Sequence, residues 1–218
     1  MKRILFAFLT LLIIPELTAQ QIYLETGKVI SNFDYRNSDG DRPVKLKGTL
    51  QGSIGAGARM ELFKSAWGVS LGFSNNKYGA SGNDPALGNY SEWEVSYLGI
   101  NLGVDYEFFK PPIYNADRQG FSFYLKGEAS TEFLLNGKQR LNSQVYDLSG
   151  EEEFDQPLVF LRGGAGLNYY ITRANVVFLE YEFGRSVFPM KGDGEETLHL
   201  NTHLMTLGIM VRLFQNKK

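Results

Sequence analysis

The stretch Met205-Thr206-Leu207-Gly208-Ile209-Met210-Val211-Arg212-Leu213-Phe214 decides how the rest of the chain is read. Met205, Leu207, Ile209, Val211 and Leu213 fall on one face of an extended strand. Thr206, Gly208, Met210 and Arg212 fall on the other. Successive side chains of a strand point to opposite sides, so this segment is apolar on one face and polar or small on the other.

Working back toward the N-terminus, the same alternation recurs. The seventh segment sets Val177, Leu179, Tyr181 and Phe183 against Glu180 and Glu182. The sixth sets Leu161, Ala165, Leu167 and Tyr169 against Arg162, Gly164, Gly166 and Asn168. The fifth sets Phe121, Phe123, Leu125 and Ala129 against Lys126, Glu128, Ser130 and Glu132. The fourth sets Leu98, Ile100, Leu102, Val104 and Tyr106 against Asn101, Gly103, Asp105 and Glu107. The third sets Trp67, Val69, Leu71 and Phe73 against Gly68, Ser70, Gly72 and Ser74, and the second sets Ile54, Ala56, Ala58 and Met60 against Ser53, Gly55, Gly57, Arg59 and Glu61. The first, about residues 21–35, fits least well. Either parity turns Glu25 or Lys28 toward the apolar side, so a bulge or a different strand edge is expected there.

Charge packed on one face and an unbroken apolar face on the other, in every segment, suits hydrocarbon outside and a polar interior. The predicted fold is all-β: an eight-stranded, antiparallel, up-and-down transmembrane β-barrel. Connections at 64–66, 110–119 and 172–175 form one end, taken as periplasmic. Longer connections at 35–46, 79–90, 137–156 and 190–200 form the other. Aromatics fall in two groups, as interfacial girdles would. Phe63, Trp67, Phe108, Phe109, Phe121, Phe123, Tyr169 and Tyr170 lie at the short-turn ends. Tyr78, Tyr90, Trp93, Tyr97, Phe133, Phe183 and Phe188 lie at the long-loop ends.

The first nineteen residues read as a secretory signal peptide. They hold a basic Met1-Lys2-Arg3 start, an apolar run from Ile4 to Ile14, and Leu17-Thr18-Ala19 before Gln20. The run is too short for a spanning helix, which needs roughly 20 residues. The barrel domain is assigned to 20–218. The chain has no cysteine, which excludes disulfides, thiolate metal sites and an acylated N-terminal cysteine. A net charge of -2 suggests no nucleic-acid partner.

The inward positions carry Arg59, Lys126, Arg162 and Arg212 against Glu61, Asp105, Glu107, Glu128, Glu132, Glu180 and Glu182. An eight-stranded barrel is just wide enough for side chains to fill. Opposite charges in so narrow a space should pair, because an unpaired buried charge is costly. The lumen is therefore expected to be plugged by a salt-bridge network. The excess of acid implies that some carboxylates are protonated or face water. Inward Gly55, Gly57, Gly164, Gly166 and Gly208 are expected to make room for long charged partners.

His199 and His203 lie where the last long loop meets the last strand. Ser130, Ser186, Glu195 and Glu196 are loosely near them, but nothing fixes a nucleophile–base pair. No catalytic residue, cofactor-binding residue or metal ligand is assigned, and the chain is expected not to be an enzyme. Acidic clusters occur in the long loops: Asp39 and Asp41; Asp147, Glu151, Glu152, Glu153 and Asp155; Asp193, Glu195 and Glu196. Without calcium-loop spacing they read as solvated surface. Tyr90, Tyr146 and Phe154 suit protein contacts.

Several segments carry a resemblance: Tyr23-Leu24-Glu25-Thr26-Gly27, Ser31-Asn32-Phe33-Asp34-Tyr35, Gly55-Ala56-Gly57, Gly163-Gly164-Ala165-Gly166 and the closing Val211-Arg212-Leu213-Phe214. With them the chain resembles the porin-family outer-membrane β-barrel proteins common in Bacteroidota, and in shape it is similar to the OmpA and OmpX class. The resemblance implies a location in the cell outer membrane and no catalytic residue. The expected role is structural or interactive: membrane stability, surface-loop binding, or an accessory subunit of a larger assembly. Expected partners are outer-membrane lipid, lipopolysaccharide and other outer-membrane proteins. The alternatives are a narrow pore for small solutes and a lipid-modifying enzyme, in which the two histidines would be the residues to test.

Overall fold

The computed structural model describes residues 20–36, 46–62, 66–84, 89–110, 119–142, 144–150, 156–172, 174–191 and 197–213. The expected signal peptide, Phe63, Pro111-Pro112, Phe154, Phe214 and most of the acidic loop residues lie outside them. Eight long strands follow one another: β1 (Gln20–Arg36), β2 (Leu50–Glu61), β3 (Trp67–Asp84), β4 (Asn89–Phe108), β5 (Gly120–Leu141), β6 (Leu158–Tyr170), β7 (Asn175–Ser186) and β8 (Thr197–Arg212). Each pairs antiparallel with the next, and β8 pairs with β1. The sheet therefore closes on itself and leaves none of these eight as an unpaired edge. Three short strands lie outside this ring: Lys47–Gly48 against β3, Gln144–Asp147 against β5, and Met190–Lys191 against β8.

Burial confirms which face of each strand is inside. Leu71, Leu102, Leu125 and Leu207 each leave more than half of their surface exposed, while Glu107, Glu132, Glu180 and Glu182 are buried. This is the reverse of a soluble protein. Closure of the sheet pairs the strands with one another along the wall, which a chain surrounded by hydrocarbon requires.

Two expectations fail here. β1 carries no bulge: its register runs unbroken against β2 from Gln20 to Ile30 and against β8 from Gln21 to Arg36. Glu25 faces inward and Lys28 outward. A one-residue slip would have turned Tyr23, Val29 and Ser31, all buried, to the outside along with it, so the whole strand's pattern outweighs one lysine. The register shift lies instead between β4 and β5, at Ser96/Tyr97.

The connections expected at 79–90 and 137–156 are also largely strand. β3, β4 and β5 run to 18, 20 and 22 residues, whereas β2, β6 and β7 have 12, 13 and 12. The extra length carries polar residues on the outer face (Ser81, Glu92, Glu94, Lys138, Arg140). The apolar/polar alternation ends where the hydrocarbon would end, but the backbone ladder continues in water. β3, β4 and β5 thus project beyond the ring on the long-loop side.

Candidate functional site

Among the described residues, charged side chains from seven of the eight long strands meet in the interior. It is built in three tiers. At the short-turn end, Arg59 of β2 donates to Asp105 of β4 through both Nε (2.9 Å) and Nη2. This fork-to-carboxylate geometry fits a guanidinium well. Arg59 Nη1 also donates to Gln21 Oε1 at 3.1 Å. Glu61 accepts from Gln21 Nε2 (3.2 Å) and Arg212 Nη2 (2.8 Å), and it pairs with Lys110 Nζ (2.6 Å). Glu107, 2% exposed, accepts from Ser122, from Asn168 Nδ2 at 3.1 Å and from the Tyr170 hydroxyl.

The middle tier centres on Lys126 of β5. Its ammonium lies 3.0 Å from Glu128 Oε2, 3.0 Å from Glu180 Oε1 and 3.2 Å from Glu182 Oε1. Beside it a cavity of about 40 Å³ is lined by Tyr23, Glu25, Tyr124, Asp105 and Phe178 among others. That is room for a few water molecules at about 10–15 Å³ each. It is too small for a solute path.

The third tier centres on Arg162 of β6. It donates to Glu132 Oε1 (2.6 Å), Ser130 Oγ (2.5 Å) and Tyr78 Oη (3.0 Å), and it pairs with Glu128 at 3.5 Å. Tyr78 in turn donates to Glu132 Oε2 at 2.7 Å, and Asn76 Nδ2 to Glu132 Oε1 at 3.0 Å. Glu128, shared by Arg162 and Lys126, joins the upper two tiers.

Each residue of the expected charge network (Arg59, Glu61, Asp105, Glu107, Lys126, Glu128, Glu132, Arg162, Glu180, Glu182 and Arg212) lies on this inner face and in an ion pair. Sequence reading missed Glu25, Lys110, Gln21, Asn76 and the interior tyrosines. Tyr78, Trp93, Tyr97 and Tyr170 are corrected: their expected place is in the girdles, but Tyr78 and Tyr97 are buried within the barrel, Trp93 packs against the same interior cluster and Tyr170 bonds Glu107. An aromatic near a strand end suits a girdle or a lumen equally well by position. Only its parity against Ser74, Asn101 and Asn168 separates the two. The inward glycines are also partly reassigned. Gly55 and Gly164 do accommodate Glu25 and Glu182, but Gly57, Gly166 and Gly208 lie against the rings of Tyr23, Tyr124 and Phe178.

Above the third tier the interior becomes apolar. Val29, Val95, Tyr97, Leu148, Leu158, Phe160 and Leu200 pack with Tyr78, and Phe33, Trp93, Leu134, Leu198 and Leu204 surround them. Leu148 comes from the third long loop. Its amide donates to Gly137 O at 2.9 Å, and Asp147 Oδ1 accepts from the Ser149 amide at 3.0 Å, which closes the turn. That hydrogen bond holds the exposed Asp147 carboxyl below its ordinary pKa. Of the residues named near the histidines, Ser186 lies beside His199, whereas Glu195 and Glu196 lie outside the described residues. His203 Nδ1 lies 2.7 Å from Tyr181 Oη on the outer wall, and His199 Nδ1 lies 3.4 Å from Ser186 Oγ at the rim. Ser130 is inside, bonded to Arg162. Among the described residues no group of acids and histidines is placed to hold a metal.

With this geometry in view, the solved structures that match are informative about fold. Neisserial surface protein A aligns over 88% of this chain and 97% of its own, with 11% identity and a TM-score of 0.50. OprG of Pseudomonas aeruginosa aligns over 91% and 98%, with 13% identity and a TM-score of 0.50. The fold is that of outer-membrane β-barrel proteins. At these identities the likeness extends to fold alone. No family model and no curated sequence matches the chain. The expectation that the chain is not an enzyme is corrected. The outer membrane protease OmpT of Escherichia coli also matches, over 91% of this chain and 98% of its own at 9% identity and a TM-score of 0.49.

Proposed function

We propose that the protein is exported through its N-terminal signal and resides in the cell outer membrane as a small barrel with a closed lumen. Its role then lies at its surface, as a structural or interaction protein: presenting its projecting strands to partners, stabilising the membrane, or serving as an accessory subunit of a larger assembly. The observation that carries this is the interior. Paired charges fill the lower tiers, packed apolar side chains close the mouth, and the cavity beside Lys126 holds about 40 Å³. A closed interior leaves the outer wall and the projecting ends of β3, β4 and β5 as the parts that meet other molecules. On the projecting end, Tyr90, Val145 and Tyr146 are exposed, the kind of side chains that enrich interfaces. The likeness to Bacteroidota barrels rests on the strand motifs quoted above.

The test uses intact cells. Trypsin added outside should cut at Lys138 or Arg140 on the projecting hairpin and leave Lys126 and Arg162 uncut. Cleavage only after the outer membrane is opened would refute the location or the orientation. Extraction in a mild detergent, followed by size and composition analysis, then separates an assembly subunit from a barrel that runs alone.

A further inference from the structure

The outward face of β7, β8 and β1 is apolar from the short-turn end upward: Val177 and Leu179, then Val211, Ile209 and Leu207, then Ile22 and Leu24. The pattern breaks at three neighbouring positions, Lys28, His203 and Arg185. In the β1–β8 ladder Lys28 stands opposite Met205 and Ile30 opposite His203. In the β8–β7 ladder His203 stands opposite Phe183 and Asn201 opposite Arg185. Lys28 and Arg185 are therefore each one diagonal step from His203, on opposite sides of it. Diagonal neighbours lie about 7–8 Å apart, within reach of long side chains.

Lys28 and Arg185 are both exposed, and neither has an ion pair among the described residues. The contrast with Lys77 is direct, since that outward lysine pairs with Glu94 at 3.7 Å. Nothing crowds Lys28 from β2 either: its cross-strand partner there is Gly52, where an added Cβ would meet nothing within 4 Å. Asp34, outward on β1, stands opposite His199, farther toward the rim.

His203 is held in place. Tyr181 Oη lies 2.7 Å from its Nδ1, and the Phe183 ring centroid lies 5.2 Å from its own. With the Tyr181 phenol donating to Nδ1, the ring's proton sits on Nε2. That N–H is a fixed donor between two unpaired cations.

A cation on a hydrocarbon-facing wall costs about 2–4 kcal/mol at mid-depth and about 0–1 kcal/mol near the interface. Two of them beside an N–H donor, with no protein anion, match a phosphate, which accepts charge-assisted hydrogen bonds from all three groups. We propose that Lys28, His203 and Arg185 form a site on the outer wall for the phosphate of a membrane-lipid headgroup. This rests on the reading of the barrel as membrane-embedded, which puts phosphorylated headgroups beside the wall.

The experiment reconstitutes the full chain in nanodiscs of a phosphate-free bilayer lipid, digalactosyldiacylglycerol, carrying bisphosphorylated lipid A or its dephosphorylated form. The protein is then recovered in mild detergent, and bound lipid is counted by native mass spectrometry. Wild type should retain the phosphorylated lipid and not the dephosphorylated one. Lys28→Gln/Arg185→Gln should retain it about tenfold less, the size of one charge-assisted contact. His203→Gln should fall in the same direction, and Lys77→Gln should match wild type. Equal retention of both lipids by wild type, or by wild type and the double variant, overturns the site. Those variants lose charge from an apolar wall and keep their ladders, and the dephosphorylated arm needs no variant. Heat-modifiable gel mobility in the same samples reports barrel insertion separately. A barrel that inserts but shows no preference refutes the site alone, and one that never inserts refutes the membrane reading with it.

Discussion

The lower and upper parts of the same lumen are built from the same inward positions with opposite chemistry. Around Lys126 and Arg162 the strands contribute charges. Around Tyr97 and Phe160 they contribute carbon. The charged part is held by complementarity, in which each group depends on a partner from another strand. The apolar part is held by volume and by the turn that places Leu148 in the mouth. The first fails when a partner is removed, the second when a side chain is shortened or made polar. A narrow barrel needs both: charges alone would invite water from the loop side, and carbon alone would leave no reason for the strands to keep a polar inner face.

The comparison is broken most severely at Arg162. Arg162→Met leaves Glu132, wholly buried, without its cation and should cost about 3–5 kcal/mol in urea unfolding from detergent. A smaller loss would mean that water already reaches the third tier. Leu102→Arg comes next, at about 2–4 kcal/mol, because it puts an unpaired charge on the outer wall at mid-strand. Equal folding yields of this variant and wild type would refute the assignment of inner and outer faces. In the apolar part, Leu148→Ala should cost less, about 2 kcal/mol, since only one face of a loop turn loses its packing. It should speed exchange of the Val95 and Gly137 amides while leaving those of Lys126 and Glu128 protected. Uniform loss of protection would show that the two parts are not separable.

The mildest effect is pH-dependent. The Asp147 carboxyl lies below its ordinary pKa because the folded turn hydrogen-bonds its charged form. The turn is therefore stabilised above the ordinary carboxylate range, and that stabilisation is lost as pH falls through the lowered value. Exchange at the Leu148 amide should accelerate in acid relative to its neutral-pH protection, and Asp147→Asn should remove most of the difference.

Much of the barrel was legible in sequence because the wall repeats one simple rule. Leu207-Gly208-Ile209 and Leu102-Gly103-Val104 state inside and outside without ambiguity. The rule fails where the solvent changes. Beyond Tyr78 and Phe133 the outer faces of β3, β4 and β5 turn polar at Glu92, Glu94, Lys138 and Arg140, so these stretches gave no apolar outer period and read as loop. In β1 the two conflicting charges Glu25 and Lys28 suggested a bulge, yet the strand keeps its register because Tyr23, Val29 and Ser31 belong inside. The charged network was visible as a set of inward residues. Its pairing was not, because Arg59 and Asp105 lie 46 residues apart and only the register of β2, β3 and β4 brings them together. Leu148 carried no signal at all. A single leucine among Asp147, Ser149 and Gly150 is indistinguishable from any exposed loop residue until the turn is seen.

The central claim is that the lumen is closed, and planar-bilayer recording of the purified wild-type protein tests it most directly. No steady open level is expected at moderate voltage, because conduction would need the Lys126 and Arg162 clusters and the Leu148 cap to give way together. A stable, voltage-independent conductance from wild-type barrels whose folding is verified by gel mobility would contradict it.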